Sequence, residues 1–219
     1  MNSRGVAVFD LDGTLTWRDT LRPFLCGYVA RHPGRLLRFW RLPPAVAAYL
    51  LAGRDRALLK SRLIRIAMGG EPRTAVDRWA DAYVASLQAR GAFRAAALRC
   101  LERHRRAGDA LILLSASPDL YVPRIGAALG FEWTICTEVR WRGDRLDGAL
   151  ATANRRGEEK GRCLQALRAE FPGRPITAYG DSPADLAYLG LADHGVLVNA
   201  RGAARRAART VGIAVDAWR

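Results

Sequence analysis

Lysine is nearly missing from this chain: only Lys60 and Lys160 interrupt a set of 35 basic residues that is otherwise arginine. So uniform a choice reads as a genome-wide preference and strips single arginines of value as functional signals. Cysteine is sparse as well. Cys26, Cys100, Cys136 and Cys163 form no Cys-x-x-Cys pair. That argues against a zinc site and a disulfide framework, and for reduced thiols in the cytoplasm. No apolar run reaches the roughly 20 residues that a membrane-spanning helix needs; the nearest, Leu42 to Ala52, is bounded by Arg41 and Gly53. The opening MNSRGVAVFD passes straight into an apolar strand and lacks the charged-then-apolar plan of a secretion signal. His32, His104 and His194 have no partners at useful spacing and read as surface or core residues. Internal repeats and low-complexity segments are absent.

What is present is a chain of 219 residues, half of them hydrophobic, with a net charge of +14. That is enough to bury a core, and nothing suggests disorder. The basic excess favours anionic partners: acidic substrates, anionic lipid or nucleic acid.

Gly5 to Phe9 is a short apolar run with β-branched Val6 and Val8, the pattern of a buried parallel strand. Beyond Trp17 the spacing turns helical, in Leu21 to His32, Arg35 to Ala52, Arg56 to Met68 and Thr74 to Ala89. After Gly91 helices and strands alternate. Helices are expected at Phe93 to Arg106 and Glu158 to Glu170, and from Ser117-Pro118 and Ser182-Pro183, where serine suits the N-cap and proline the first turn. A last helix is expected at Ala203 to Arg209. Strands are expected at Ala110 to Leu114, Pro175 to Tyr179 and Gly195 to Val198. Thr134 to Val139 and Arg145 to Leu150 are read as a hairpin around Arg142-Gly143-Asp144. The expectation is a doubly wound α/β fold with a mostly parallel Rossmann-like sheet. The catalytic core would be residues 1–16 and 91–219, with an all-helical insertion at 17–90.

In such a sheet, ligands bind beyond the carboxyl ends of the strands. There the sequence places Asp10-Leu11-Asp12-Gly13-Thr14, Ser115-Ala116-Ser117 and Gly180-Asp181-Ser182-Pro183-Ala184-Asp185, with Lys160 early in the intervening helix. Two carboxylates two residues apart can divide labour, one attacking and one moving protons. Clustered carboxylates repel and call for a cation; with oxygen ligands on offer, that cation is Mg²⁺. Ser115 precedes a helix start, where hydroxyl and backbone N–H groups favour phosphate. Lys160 supplies a compact point charge for phosphate oxygens. Ser117 reads as an N-cap rather than a catalytic hydroxyl, and Thr14 and Thr16 as residues that order the loop.

This set, DLDGT from Asp10, LLS ending at Ser115, GEEKGRCL around Lys160 and GDSPADL from Gly180, resembles the haloacid dehalogenase superfamily of phosphatases. The insertion between the first two motifs is similar to that of its phosphoserine-phosphatase-like branch, which carries a helical cap. The resemblance implies that Asp10 attacks phosphorus and becomes an aspartyl-phosphate. Asp12 protonates the leaving oxygen and then activates water. Ser115 and Lys160 hold the phosphoryl group. Mg²⁺ is bound by Asp10, Asp181 and the backbone carbonyl of Asp12, with Asp185 behind them. A carboxylate at position 12 favours hydrolysis, or a phosphotransferase, over an ion pump of the same superfamily.

The cap bears on substrate. Residues 20–70 hold ten basic residues against Asp55 alone, interleaved with Phe24, Tyr28, Phe39, Trp40 and Tyr49. Such a surface fits anionic lipid at the inner face of the membrane, and it resembles the caps of bacterial phosphatidylglycerophosphate phosphatases of this branch. An ordinary cap with solvated arginines accounts for it equally well. Asp19 and Arg65 are candidate substrate contacts, Arg65 through a resemblance of Ser61 and Arg65 to the cap helix of phosphoserine phosphatases. A small metabolite such as phosphoserine is therefore the alternative substrate. A non-catalytic, basic nucleic-acid- or membrane-binding protein is the remaining alternative; no nucleic-acid motif supports it.

Overall fold

The computed structural model describes residues 4–41, 43, 47, 49 and 55–218. Eight strands are seen among them: β1 (Val6–Phe9), β2 (Ala110–Pro118), β3 (Trp133–Thr137), β4 (Val139–Arg142), β5 (Arg145–Leu150), β6 (Ile176–Gly180), β7 (His194–Val198) and β8 (Ala214–Asp216). Six form one parallel sheet in the order β3-β2-β1-β6-β7-β8, and β4 and β5 form a separate antiparallel ribbon. This is the expected doubly wound Rossmann-like architecture. The order reverses at β1, so the crevice beside β1 is where a ligand site is expected.

Alternation along the strands splits the interior. Ala7, Phe9, Leu111 and Leu113 face one side, against helices α4 (Ala95–Ala107) and α5 (Val122–Leu129). Val6, Val8, Ile112 and Leu114 face the other, against α6 (Glu158–Glu170), where Cys163, Leu164 and Leu167 are buried. Both faces are covered, which is why these strands read as continuous apolar runs. Full burial of Phe9 alone contributes about 2 kcal/mol by apolar transfer.

Between β1 and β2 the chain forms α1 (Leu21–Arg31), a short 3-10 helix (Pro33–Arg41), α2 (Arg56–Met68) and α3 (Arg73–Ala89). An aromatic cluster of Phe24, Tyr28, Trp79, Tyr83 and Tyr121 joins α1 and α3 to the residue preceding α5. The two chain crossings into this segment lie side by side: Thr16 pairs antiparallel with Phe93, and Trp17 N–H donates to the Ala92 carbonyl. Helix α2 starts at Asp55, whose carboxylate accepts from the N–H groups of Ala57 and Leu58. The helix expected over Arg35 to Ala52 is a 3-10 helix at its start, and most of its remainder lies outside the described residues.

Two expectations are corrected. Ser117-Pro118 does not open a helix: β2 continues through Pro118, which registers with Thr137, and α5 begins only at Val122. The hairpin is β4 with β5, while Trp133–Thr137 joins the parallel sheet beside β2. Strand β8, followed by a buried Trp218, extends the far edge and was not expected. Helices α7 (Leu186–Leu189) and α8 (Gly202–Thr210) complete the crossovers on that side. All four cysteines are free, and only Cys26 is exposed. No helix among the described residues is long and apolar enough to cross a membrane.

Candidate active site

The chain leaves β1 at Asp10 and makes one wide turn, Leu11–Leu15, closed by Thr16 N–H donating to the Leu11 carbonyl. Gly13 sits in this turn at φ 86°, and a Cβ there would lie 2.1 Å from Asp181 Oδ2. Both the left-handed backbone and the contact with Asp181 require glycine. Thr14 Oγ1 donates to Asp10 Oδ2 at 3.1 Å, and Thr16 Oγ1 to the carbonyls of Leu11 and Arg18, so both threonines order the loop as expected.

Asp10 and Asp12 meet different surroundings. Asp10 is buried, and its Oδ1 accepts from the Lys160 ammonium at 2.6 Å. The same ammonium donates to Asp185 Oδ1 at 2.7 Å and lies 5.0 Å from the centre of the Tyr188 ring. Asp185 is itself filled: Ser182 N–H and Oγ both donate to its Oδ2, completing the capping box that starts the Pro183–Asp185 turn. Asp12 turns the other way. Its Oδ1 accepts from the Thr20 N–H and hydroxyl, each at 2.7 Å, and its Oδ2 from the Ser117 hydroxyl at 2.6 Å.

The electrostatics follow from burial and crowding. Burial raises Asp10 to about 7; Lys160 pulls it down, while Asp185 and Asp181 push it up. Burial also raises Asp181 to about 6, with the Asp185 charge adding to the effect. Asp185 is held below the usual carboxylate range: burial opposes its charge, but Lys160 and then Ser182 prevail. Asp12 is raised by burial, against the hydrogen bonds from Ser117 and Thr20. The site therefore holds a carboxylate paired with an ammonium and a second carboxylate disposed to carry a proton.

These groups line a cavity of about 470 Å³ whose floor is acidic, from Asp10, Asp12, Asp181 and Asp185. Its rim is basic: Arg18, Arg56 and Arg156 are exposed there, with Lys60 deeper. The structure brings together five of the expected residues, Asp10, Asp12, Lys160, Asp181 and Asp185. Ser115 is fully buried beneath the cavity rather than lining it, and its hydroxyl accepts from the Ser117 N–H. Asp19 is exposed at the rim, accepting from the Arg22 N–H. Arg65 is not in the cavity. Its guanidinium instead pairs with Asp147 of β5 at 2.6 Å and bonds the Asp147 carbonyl.

Sequence reasoning missed Lys60, Asn154, Thr20 and the role of Ser117. The Lys60 ammonium donates to the Ala116 carbonyl at 2.5 Å and to Asn154 Oδ1 at 2.6 Å, and burial lowers it to about 8. Its signal was available: it is the other lysine in an arginine-rich chain.

Among the described residues, one group can hold a metal ion. Asp10, Asp181 and Asp185 each offer a carboxylate oxygen, all within 4.8 Å of one another. An all-oxygen donor set suits a hard cation such as Mg²⁺. Asp185 already accepts from Lys160 and Ser182, and Asp10 from Lys160 and Thr14, which leaves Asp181 the least engaged of the three.

The chain is similar to known proteins in sequence and in fold. A family profile described as haloacid dehalogenase-like hydrolase matches residues 7–190. Protein CicA of Caulobacter vibrioides is 32% identical over 191 residues, covering 86% of this chain and 83% of that protein. A Bordetella pertussis protein of unknown function superposes with a TM-score of 0.81 at 20% identity, covering 98% of each chain. A phosphoserine phosphatase solved as a phospho-aspartyl intermediate analogue superposes with a TM-score of 0.66 at 13% identity, covering 99% of this chain and 94% of that one.

Proposed function

The chain belongs to the haloacid dehalogenase-like hydrolase family, and on that premise we propose that it is a Mg²⁺-dependent phosphatase of phosphomonoesters acting through an aspartyl-phosphate on Asp10. The observation that carries this reading is the divided environment of Asp10 and Asp12. Burial raises both, but one carboxylate takes an ammonium while the other takes three neutral donors.

In this reading Asp10 attacks phosphorus, and the bond from phosphorus to the ester oxygen breaks. Asp12 gives its proton to the departing oxygen, and Thr20 and Ser117 aim its carboxyl. Water then attacks the phosphorus of the acyl phosphate and loses a proton to Asp12. The bond to Asp10 breaks and inorganic phosphate leaves. Lys160, and Ser115 through the strand end it orders, hold the phosphoryl oxygens. The carboxylates of Asp10 and Asp181 with the Asp12 carbonyl would hold Mg²⁺, which when bound neutralises charge on the transferring group. Segment 17–90 acts as a cap on the core formed by 1–16 and 91–219, excluding water and selecting substrate.

For the substrate we favour an amphiphilic phosphomonoester, with a phospholipid head group such as phosphatidylglycerophosphate as the first candidate. A largely apolar cleft of about 580 Å³ is lined by Leu25, Leu59, Leu63 and Ile66, and it shares Asp19, Arg56 and Lys60 with the catalytic cavity. Leu36, Leu37 and Trp40 are exposed on the arginine-rich Pro33–Arg41 turn, a composition suited to an anionic membrane face on the cytoplasmic side. The test is Mg²⁺-dependent phosphate release from phosphatidylglycerophosphate in mixed micelles against soluble phosphoserine. Preference for the lipid supports the amphiphile; preference for phosphoserine returns the cap to an ordinary role. No release from any phosphomonoester, with salt-dependent nucleic-acid binding instead, overturns the enzyme reading.

A further inference from the structure

Arg94 lies in the second crossing between segment 17–90 and the sheet, where its own N–H donates to the Leu15 carbonyl at 2.8 Å. Its side chain reaches three more carbonyls. Nε donates to Gly13 at 3.2 Å and to Thr16 at 3.3 Å, and Nη1 donates to Trp218 at 2.9 Å. The guanidinium also lies 4.3 Å from the centre of the Trp17 ring. One planar cation with fixed donors thus bonds both ends of the stretch that follows Asp12, together with a residue distant in sequence.

Trp218 is itself held firmly. It is buried, and its ring packs 5.3 Å from Tyr179 and 6.4 Å from Phe9, centre to centre. Its N–H donates to Asn199 Oδ1 at 2.9 Å, and its indole N–H to Asp216. Asn199 is the one described residue other than glycine with a left-handed backbone, φ 58°, and its amide reaches back to the Gly13 carbonyl at 3.5 Å. The Gly13 carbonyl is therefore met from two sides, by Arg94 and by Asn199, and both lead to Trp218.

The position of Gly13 is critical because it touches Asp181 and directly follows Asp12. Any shift of Gly13 moves Asp12 relative to Ser117 and Thr20 and loosens the approach to Asp181. We propose that Arg94 is a positioning residue: it clamps the Gly13–Thr16 stretch to Trp218 and so keeps the Asp12 carboxyl on line for proton transfer. It does not line the catalytic cavity. This inference rests on the phosphatase reading for its kinetic consequence but not for its structural one.

The test uses the full chain with Arg94→Ala and Arg94→Lys, p-nitrophenyl phosphate as probe, and amide hydrogen exchange over residues 11–17. For Arg94→Ala the expected result is a kcat lower by about 10- to 100-fold, the scale of a small misplacement of a catalytic group, with KM within about twofold. Added guanidinium should recover part of kcat. Lysine, which cannot reach several carbonyls in one plane, should keep only a minor part. Amides 11–17 should exchange faster while those of β2 and β6 stay protected. Unchanged exchange over 11–17 overturns the clamp whatever the activity. Loss of protection throughout the sheet, or a fall in kcat that guanidinium does not relieve, makes Arg94 merely structural and also overturns it. If the wild-type chain releases no phosphate, the functional reading fails, and the exchange result still decides the clamp.

Discussion

The Lys160 ammonium and the Asp10 carboxylate meet at 2.6 Å inside the protein, from positions 150 residues apart in sequence. With Asp185 on its other side, Lys160 is the cation that lets two buried carboxylates share one space. Removing it leaves uncompensated charge, a loss on the order of 3 kcal/mol. Lys160→Met should therefore unfold at lower urea concentration, and Mg²⁺ should recover more stability in the variant than in the wild type. Chemical denaturation in EDTA and in Mg²⁺ measures this. Equal midpoints for both proteins would sink the idea that Lys160 balances the cluster. Phosphate release should fall about 100-fold or more, since in the proposed mechanism the lysine also meets the transferring group.

Asp10→Asn should abolish turnover while leaving the fold intact. Asp12→Asn should instead discriminate between leaving groups. An alkyl phosphate needs its oxygen protonated on departure, whereas p-nitrophenolate leaves well unaided. The loss should therefore be at least about tenfold greater for the alkyl ester, within the range of general acid catalysis. Single-turnover rates on both esters measure it, and equal losses would remove Asp12 from the acid role.

Lys60 sets a pH dependence. Burial lowers its ammonium to about 8, so the charge is complete below that pH and disappears as pH rises through it. If the charge meets the substrate anion, KM should be flat below about pH 7 and rise above about pH 8. Arginine stays protonated throughout, so Lys60→Arg should remove the rise. A break that persists in Lys60→Arg would belong to another group.

Arg65 gives the contrasting case. Its hydrogen bond, with help from Arg142, holds Asp147 down to about 2, against an ordinary value of 3.8. The stabilisation is present above the ordinary value and is lost as pH falls through about 2, where Asp147 takes up its proton. Because Arg65 is half exposed, with side-chain accessibility of 53%, the pair contributes about 1 kcal/mol or less. Arg65→Ala should lower the melting temperature by a few degrees at pH 7 with KM unchanged. An altered KM would restore Arg65 to the substrate site.

The central strands and most helices were legible because burial on both faces leaves an apolar run and helical packing leaves a 3.6-residue period. The acidic floor was legible because each of its members follows a strand end within a short motif. What escaped had no local signature. Strand β8 is three residues long and is defined by pairing with β7. Ser117-Pro118 has the composition of a helix start, yet its backbone continues β2 because Thr137 pairs with it. Lys60 and Asn154 reach the cavity, and Thr20 reaches Asp12, only through tertiary packing. Arg94 was hidden among 33 arginines that carried no individual signal.

Strand β1 stands at the centre of the sheet, paired to β2 on one side and β6 on the other. It is made first, yet its second neighbour ends at Gly180. At roughly 5–20 residues per second on the ribosome, Val6–Phe9 waits on the order of ten to thirty seconds for that edge to be closed. During that interval four apolar residues with unpaired backbone need shelter, from a chaperone or from the ribosome exit site. A chain released before Gly180 would keep β1 open along one whole side, exposing an apolar edge able to aggregate.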